Sequence, residues 1–159
     1  MTARPALPRD AGAMAELLNE IIRIGGTTAH EAPKSPDQVR NDYIDGPEVL
    51  TSVVVEEKGR LLGWQSVGWW QGEAHIGTFV RTGQQAKGIG ATLFARTSAA
   101  ARAKGLTEII ASIRADNVPG LAYYARLGFA DVGADPEFAL GDGTVVGRIH
   151  RRFDLTRGA

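Results

Sequence analysis

The segment Asn117-Val-Pro-Gly-Leu-Ala-Tyr-Tyr124-Ala-Arg-Leu-Gly128-Phe129 decides the fold of this chain. Asparagine is a favoured N-cap residue and proline fits the first turn, so the pattern predicts a helix over about residues 119–127. The helix carries two adjacent tyrosines, and Leu-Gly-Phe follows at its end. From the residues alone, Asn117 is an N-cap, and Tyr124 is either a core aromatic or a functional hydroxyl with Tyr123 as its competitor.

A glycine-containing loop, Gln85-Ala-Lys-Gly88-Ile-Gly90, lies ahead of this segment, between a predicted strand and a predicted helix. Glycines let the backbone approach a ligand closely, and the free N–H groups at a helix start favour an anion. The loop is therefore either a phosphate cradle or a flexible turn. It is not a Walker loop, and Leu93 occupies the place of the third glycine of a dinucleotide fingerprint.

The rest of the chain predicts short hairpins first and strand–helix units afterwards. Period-2 and period-3.6 apolar patterns, broken at glycine and proline, mark the elements. The predicted strands cover Arg4–Leu7, Leu50–Glu56, Arg60–Trp70, Ala74–Arg81, Glu108–Ser112 and Val145–Phe153, and the predicted helices run from an N-cap at Asp10 to Gly25, from Ser35 to Ile44, and from Gly88 to about Gly105. This order predicts one α/β domain over residues 1–159, a mixed sheet with helices on both faces.

Composition narrows the class of protein. The 18 basic and 18 acidic side chains cancel, and no basic run is present to neutralise phosphates, so we expect no nucleic-acid partner. The chain has no cysteine, and its three histidines lack metal-ligand spacing, so we expect no metal. No signal-peptide core or membrane span is present, which predicts a cytoplasmic protein, and the near-zero charge makes a homodimer plausible.

The two segments together resemble the GCN5-related N-acetyltransferase (GNAT) family. Gln85, Gly88 and Gly90 match its first motif, Gln/Arg-x-x-Gly-x-Gly/Ala. Asn117 and Tyr124, just ahead of Leu-Gly-Phe, match the second. The resemblance extends from the first strand and helix to the last strand. It implies a mostly antiparallel mixed sheet that splays apart between the fourth and fifth strands.

The resemblance also implies acetyl-CoA in the V-shaped gap of that sheet. The pyrophosphate is expected on the loop and the following helix start, and the pantetheine arm on the strand end. The cofactor-binding residues implied are Phe79, Val80, Arg81, Gln85, Ala86, Lys87, Gly88, Ile89, Gly90, Ala91, Asn117, Gly120, Tyr123 and Tyr124. Lys87 is equally well explained as one more solvated lysine.

The chemistry of amine acetylation needs a base and a donor. An alkyl amine of pKa ~10.4 is protonated at pH 7, and removing its proton costs about 4–5 kcal/mol. The family position of Tyr124 implies a donor to the leaving sulfur. His75 has a suitable pKa class for the base. An acidic residue occupies this strand in the similar phosphinothricin-acetyltransferase branch, so Glu73 is the alternative, and a structural strand histidine is another.

The branch resemblance also covers the loop after the first helix, which closes over the acceptor in that family. Thr28, His30 and Glu31 are therefore candidate contacts for a small-molecule amine, although a solvated loop fits equally well. Trp69 is a further candidate; strand alternation puts Trp69 and Trp70 on opposite faces, so at most one is expected to line the site.

Three classes of function remain distinguishable. The first is an enzyme that acetylates an amino acid or an analogue such as phosphinothricin or methionine sulfoximine, with a polyamine, an aminoglycoside or a peptide amine as other acceptors. The second is an acyl-CoA-binding module without turnover. The third, a nucleotide-binding protein, leaves Asn117 and Tyr124 unexplained.

Overall fold

The computed structural model describes residues 1–28, 32–84, 88–140 and 142–157. Within these ranges seven strands form a single sheet in the order β1-β2-β3-β4-β5-β7-β6. The strands are β1 (Thr2–Pro5), β2 (Val49–Glu57), β3 (Arg60–Trp70), β4 (Glu73–Val80), β5 (Glu108–Arg114), β6 (Ala130–Ala139) and β7 (Val145–Asp154). The helices are α1 (Ala11–Ile24), α2 (Pro36–Tyr43), α3 (Ile89–Ala103) and α4 (Val118–Leu127).

The sheet is antiparallel except where β4 meets β5. These two parallel strands pair at a single position, His75 with Ile110, and separate beyond it. On the far side of each strand the pairing is continuous, from β4 to β3 and from β5 to β7. The predicted splay of a mixed, mostly antiparallel sheet is therefore confirmed.

Helices cover both faces of the sheet, as predicted. On one face, here called the α1 face, helix α1 buries Met14, Leu17 and Leu18 in a cluster with Trp64 and Phe79. On the opposite face, here called the α3 face, α3 and α4 bury a second cluster that includes Phe94, Ile113 and Tyr124. None of the helices in the described ranges combines the length and apolar character needed to cross a membrane.

The start of α1 differs from the prediction. Asp10 has helical dihedral angles and makes no side-chain cap to α1. Its carboxylate instead accepts the Leu7 N–H at 2.7 Å and two hydrogen bonds from the Arg4 guanidinium at 2.8 and 2.9 Å. The aspartate therefore closes the 3-10 turn Pro8–Asp10 and ties it to β1, which begins at Thr2 rather than at Arg4.

Strand β6 was not predicted from the sequence. Among the described strands it pairs with β7 alone and forms the edge of the sheet, with most of its residues exposed. Gly133 and Pro136 lie within it, and neither residue favours a strand interior. An edge strand tolerates a proline because one side of its backbone has no neighbour, which explains why the pattern looked like a loop.

Candidate active site

A large cavity opens where β4 and β5 separate. Its volume is about 1290 Å³, and its walls include β4, the first turn of α3 and the first turn of α4. Single small-molecule sites usually occupy about 300–1,000 Å³. The cavity can therefore hold a large ligand together with a second, smaller one.

The open edge of β4 offers backbone hydrogen-bonding groups to this cavity. The Arg81 N–H donates to the Leu62 carbonyl at 2.8 Å, so alternation along the strand turns the amides of Thr78 and Val80 toward the gap. The Arg81 side chain donates to the Leu61 carbonyl at 2.9 Å and is absent from the cavity wall. Of the predicted strand end, Val80 therefore faces the gap and Phe79 lines the wall, whereas the Arg81 N–H is turned toward β3.

The glycine loop runs into the first turn of α3. Gly88 has a left-handed backbone with φ +78° and begins the helix, whose first amides receive no side-chain cap from the described residues. Gly88, Gly90 and Ala91 line the cavity, as does Ile89, which is otherwise packed in the core at 2% exposure. Gln85, Ala86 and Lys87 lie outside the described residues. The uncapped N–H groups at this helix start suit an anionic ligand group.

Gly90 has a packing role that the sequence did not indicate. A Cβ built on it would lie 2.5 Å from Cε1 of Tyr123. The Tyr123 hydroxyl donates to the Gly90 carbonyl at 2.7 Å. Tyr123 therefore packs against the first turn of α3, and a side chain at position 90 would displace its ring.

Tyr124 places its hydroxyl in the cavity wall beside β4. Its oxygen lies 2.8 Å from Oγ1 of Thr78, and the residue is 7% exposed. Burial raises the pKa of the Tyr124 phenol above its ordinary value, which keeps the hydroxyl protonated at neutral pH. The residue therefore carries a proton that it can share with a ligand.

Gln65 links the two tyrosines to β4 through hydrogen bonds. Its Nε2 donates to Tyr123 Oη at 3.0 Å and to Thr78 Oγ1 at 2.9 Å. A carbonyl only accepts, so Tyr123 gives its proton to Gly90 and accepts from the glutamine amide. The Thr78 oxygen accepts from that amide and has a second lone pair, so either hydroxyl can be the donor in its bond to Tyr124 Oη. When Thr78 donates in that bond, the Tyr124 proton is free to point to the cavity.

Asn117 is confirmed as the N-cap of α4. Its Oδ1 accepts the Gly120 N–H at 3.1 Å, and its Nδ2 donates to the Thr27 carbonyl at 3.2 Å. Arg114 Nη1 donates to the carbonyl of Thr28 at 3.1 Å. Two hydrogen bonds thus tie the segment after α1 to the ends of β5 and α4 at the cavity.

The predicted acceptor loop is only partly described. Thr28 lines the cavity, whereas His30 and Glu31 lie outside the described residues. Asn117 and Gly120 line it too, with their side-chain and amide groups engaged in the cap.

His75 lines the cavity on the α1 face. Desolvation lowers the pKa of His75 below its ordinary value, although nearby Glu73 opposes the shift. Its Nε2 lies 3.6 Å from Glu73 Oε1, and it has no hydrogen-bond partner among the described residues. Glu73 itself is 55% exposed and is not part of the cavity wall. Of the two candidate residues, His75 therefore lines the cavity and Glu73 does not.

Both tryptophans border the cavity, contrary to the expectation that at most one would. They do lie on opposite faces, and their exposed fractions are 45% for Trp69 and 49% for Trp70. Trp70 packs edge-on against the His75 ring at 5.1 Å between centroids. Because the wall runs around the splayed end of the sheet, it includes side chains from either face.

Several polar residues of the wall were missed by the sequence analysis. Ser112 Oγ lies 2.8 Å from Nδ1 of His150, and Arg114 and Arg148 also line the cavity. The alternation of Arg148, His150 and Arg152 along β7 was a signal for a polar strand face. Among the described residues no three histidine or acidic side chains cluster as a metal site would require.

Comparison with known proteins agrees with this architecture. The chain is 27% identical to a phosphinothricin N-acetyltransferase of Streptomyces coelicolor over 82% of each protein. It is 32% identical to an L-methionine sulfoximine/L-methionine sulfone acetyltransferase of Pseudomonas aeruginosa, over 54% of this chain and 53% of that protein. A GNAT superfamily phosphinothricin acetyltransferase of Sinorhizobium meliloti, solved in complex with AcCoA, superposes with a TM-score of 0.82 at 21% identity, covering 97% of this chain and 88% of that one.

The family itself is decided by a match that covers most of the chain. Residues 11–129 match the acetyltransferase (GNAT) family, and this range includes α1, the splayed strands, the glycine loop and α4. The chain therefore belongs to the GNAT acetyltransferase family and is an acyltransferase.

Proposed function

We propose that this protein transfers the acetyl group of acetyl-CoA to the primary amine of a small molecule, by direct attack of the amine on the thioester. The observation that carries the proposal is the cavity at the splay, where uncapped helix amides and a buried phenol face the same space. The relatives named above act, by their names, on phosphinothricin and methionine sulfoximine. An amino acid or a close analogue is accordingly the proposed acceptor.

The residues present fit acetyl-CoA. The amides at the start of α3 suit the pyrophosphate. The left-handed backbone of Gly88, together with its lack of a side chain, lets the pyrophosphate approach these amides. The amides of Thr78 and Val80 suit the amide groups of the pantetheine arm. When bound, acetyl-CoA supplies an activated thioester carbonyl and a thiolate leaving group.

His75 and Tyr124 would then divide the proton transfers. Neutral His75 accepts the proton that the amine must lose, and its lowered pKa keeps the imidazole unprotonated at neutral pH. Tyr124 donates its hydroxyl hydrogen toward the departing sulfur, whose conjugate acid has a pKa near ~8.5. A covalent acyl-enzyme is not needed, in keeping with a chain that has no cysteine.

The test is the release of free CoA thiol from acetyl-CoA across a panel of amines. The panel contains amino acids, methionine sulfoximine, phosphinothricin, a polyamine and an aminoglycoside. Release that depends on an amino acid or analogue supports the proposal. Binding of acetyl-CoA without release for any acceptor would instead favour a binding module, and no binding at all would overturn the proposal.

We further propose one catalytic domain over residues 1–159, acting as a homodimer in the cytoplasm. The near-zero net charge supports self-association, and the exposed edge strand β6 leaves one side of the sheet unpaired. Sedimentation velocity measures the oligomeric state directly; a monomer at micromolar concentration would contradict the dimer.

A further inference from the structure

The inference concerns Arg148, a wall residue to which acetyl transfer gives no role. Arg148 lies on β7, directly opposite Arg114 on β5 and Asp135 on β6. Its side chain is 15% exposed and lines the same cavity as His75. A nearly buried guanidinium normally has its donors paired, so its partners decide whether it can receive a ligand.

The hydrogen-bond donors of the Arg148 guanidinium have few partners within the part of the chain that the structure describes. Its Nε is buried and has no hydrogen-bond partner there. Its Nη2 lies 3.5 Å from Oδ2 of Asp135, a carboxylate that is itself 39% exposed. The guanidinium stacks on the Phe138 ring at 3.7 Å from the centroid, which fixes its plane without using its donors.

Arg114, the cross-strand neighbour, differs in this respect. Its Nε and Nη2 donate to the Asp116 carboxylate at 3.0 and 2.8 Å, and its Nη1 donates to the Thr28 carbonyl. Two like charges directly opposite each other on a sheet destabilise it unless each is compensated. Arg114 is compensated by this bidentate pair, whereas the ion pair of Arg148 with a described residue is the longer contact to Asp135.

The position of Arg148 relates it to the base. Ile113 packs in the cluster on the α3 face, so alternation puts Ser112 and Arg114 on the α1 face, together with their partners His150 and Arg148. Arg148 is the diagonal neighbour of Ser112, at about 7–8 Å between Cα atoms. His75 lies on the same face two strands away, on β4, and its side chain and that of Arg148 line the same cavity.

We propose that Arg148 binds the carboxylate of the acceptor, so that the enzyme selects amines that carry an acidic group. The inference rests on the proposed acetyl transfer. A guanidinium held flat presents a fork of N–H donors that matches the two oxygens of a carboxylate. With the carboxylate on Arg148, the amine of a small amino acid lies in the part of the cavity that Ser112 and His75 line.

The test compares one acceptor in two forms, the best amino acid from the panel and its primary amide. The variants are Arg148→Met, which keeps an unbranched apolar side chain but removes the guanidinium, and Arg148→Lys. Arg152→Met is the matched control, because Arg152 shares the strand and the face but binds Glu108 at 2.6 Å and lies outside the cavity wall. The amine pKa differs between acid and amide, but this difference cancels when the same pair is compared in each enzyme.

The expected result is a loss of about 10- to 100-fold in kcat/KM for the acid with Arg148→Met, mostly in KM, with the amide nearly unchanged. Arg148→Lys should lose less, and Arg152→Met should keep the wild-type ratio of acid to amide. An equal loss for acid and amide, or an unchanged ratio in Arg148→Met, would overturn the inference while acetyl transfer stands. Absence of transfer to every amine would instead overturn the proposed function beneath it.

Discussion

Replacing Tyr124 by phenylalanine removes one hydroxyl and keeps the ring in its cluster. Thr78 loses a partner 2.8 Å away but still accepts from Gln65, so the cost in unfolding free energy should be about 1 kcal/mol. General acids contribute about 10²- to 10⁴-fold to rates. The leaving thiol has a pKa near ~8.5 and can depart unassisted more easily than an alkoxide, so the lower end applies. We therefore expect kcat to fall about 100-fold, which corresponds to about 2.7 kcal/mol.

The assay for this prediction is thiol release at saturating acceptor, together with calorimetric binding of acetyl-CoA and a thermal melt. Tyr123→Phe is the matched control, since its lost hydroxyl supports Gly90 and not the cavity. That variant should weaken acetyl-CoA binding and lower the melting temperature, with a smaller effect on kcat. If folded Tyr124→Phe kept kcat within about threefold of wild type, or if both variants slowed equally, the donor role would be refuted.

Three further predictions address the base, the loop and the fold. Because burial lowers the pKa of His75, kcat should stay level near pH 7 and decline only as the pH falls through a value below ~6.5. His75→Asn should lower kcat and abolish this acidic decline in the pH profile. An acidic decline that persists in the variant would exclude His75 as the base. Gly90→Ala should force the Tyr123 ring aside, lowering stability by about 1–3 kcal/mol and weakening acetyl-CoA binding in calorimetry. Gly12→Ala, whose Cβ meets nothing within 4 Å in α1, should be neutral or stabilising, and equal effects of the two would contradict the packing argument. Asp10→Asn should lower the unfolding free energy in urea by about 1–3 kcal/mol at pH 7. The pKa of Asp10 is lowered by the guanidinium beside it, so this stabilisation is present above the unfolded pKa of ~3.9 and should vanish as the pH falls through the lower folded pKa. If wild type and Asp10→Asn still differed in unfolding free energy below that pH, the ion-pair origin would be contradicted.

Local signals in the sequence were sufficient for most of the fold. Lys58 and Gly59 both have positive φ, at 53° and 77°, which is the backbone that a tight hairpin between two alternating strands requires. Strand β6 escaped because its residues gain little from burial and carry no apolar alternation. The predicted N-cap role of Asp10 was also wrong, because Arg4 on β1 binds the carboxylate that would otherwise cap the helix. A local sequence pattern does not show which residues distant in the chain will become partners in the fold.

The candidate site also contains residues that a local motif predicts and residues that only the folded structure brings together. Tyr124 and Gly88 occupy positions that a one-dimensional motif can specify, because the chain there leads directly into or out of a helix. Gln65 and Thr78 carry no such signal. They reach each other because β3 pairs with β4 in a register that sets Gln65 opposite Thr78, and a shift of one residue would put the two side chains on opposite faces.

That register has a chemical consequence for the donor. The Gln65 amide is completely buried, and its Nε2 donates to the hydroxyls of Tyr123 and Thr78. Its Oε1 has no hydrogen-bond partner among the described residues. Turning the amide over would pair the oxygen but leave the two N–H donors in its place, and it would demand protons from Tyr123 and Thr78. Tyr123 could then no longer donate to Gly90, and Tyr124 would have to give its proton to Thr78. In the observed orientation Thr78 keeps its own proton and can donate it to Tyr124, which frees the Tyr124 hydroxyl hydrogen for the cavity, where a departing thiolate needs it.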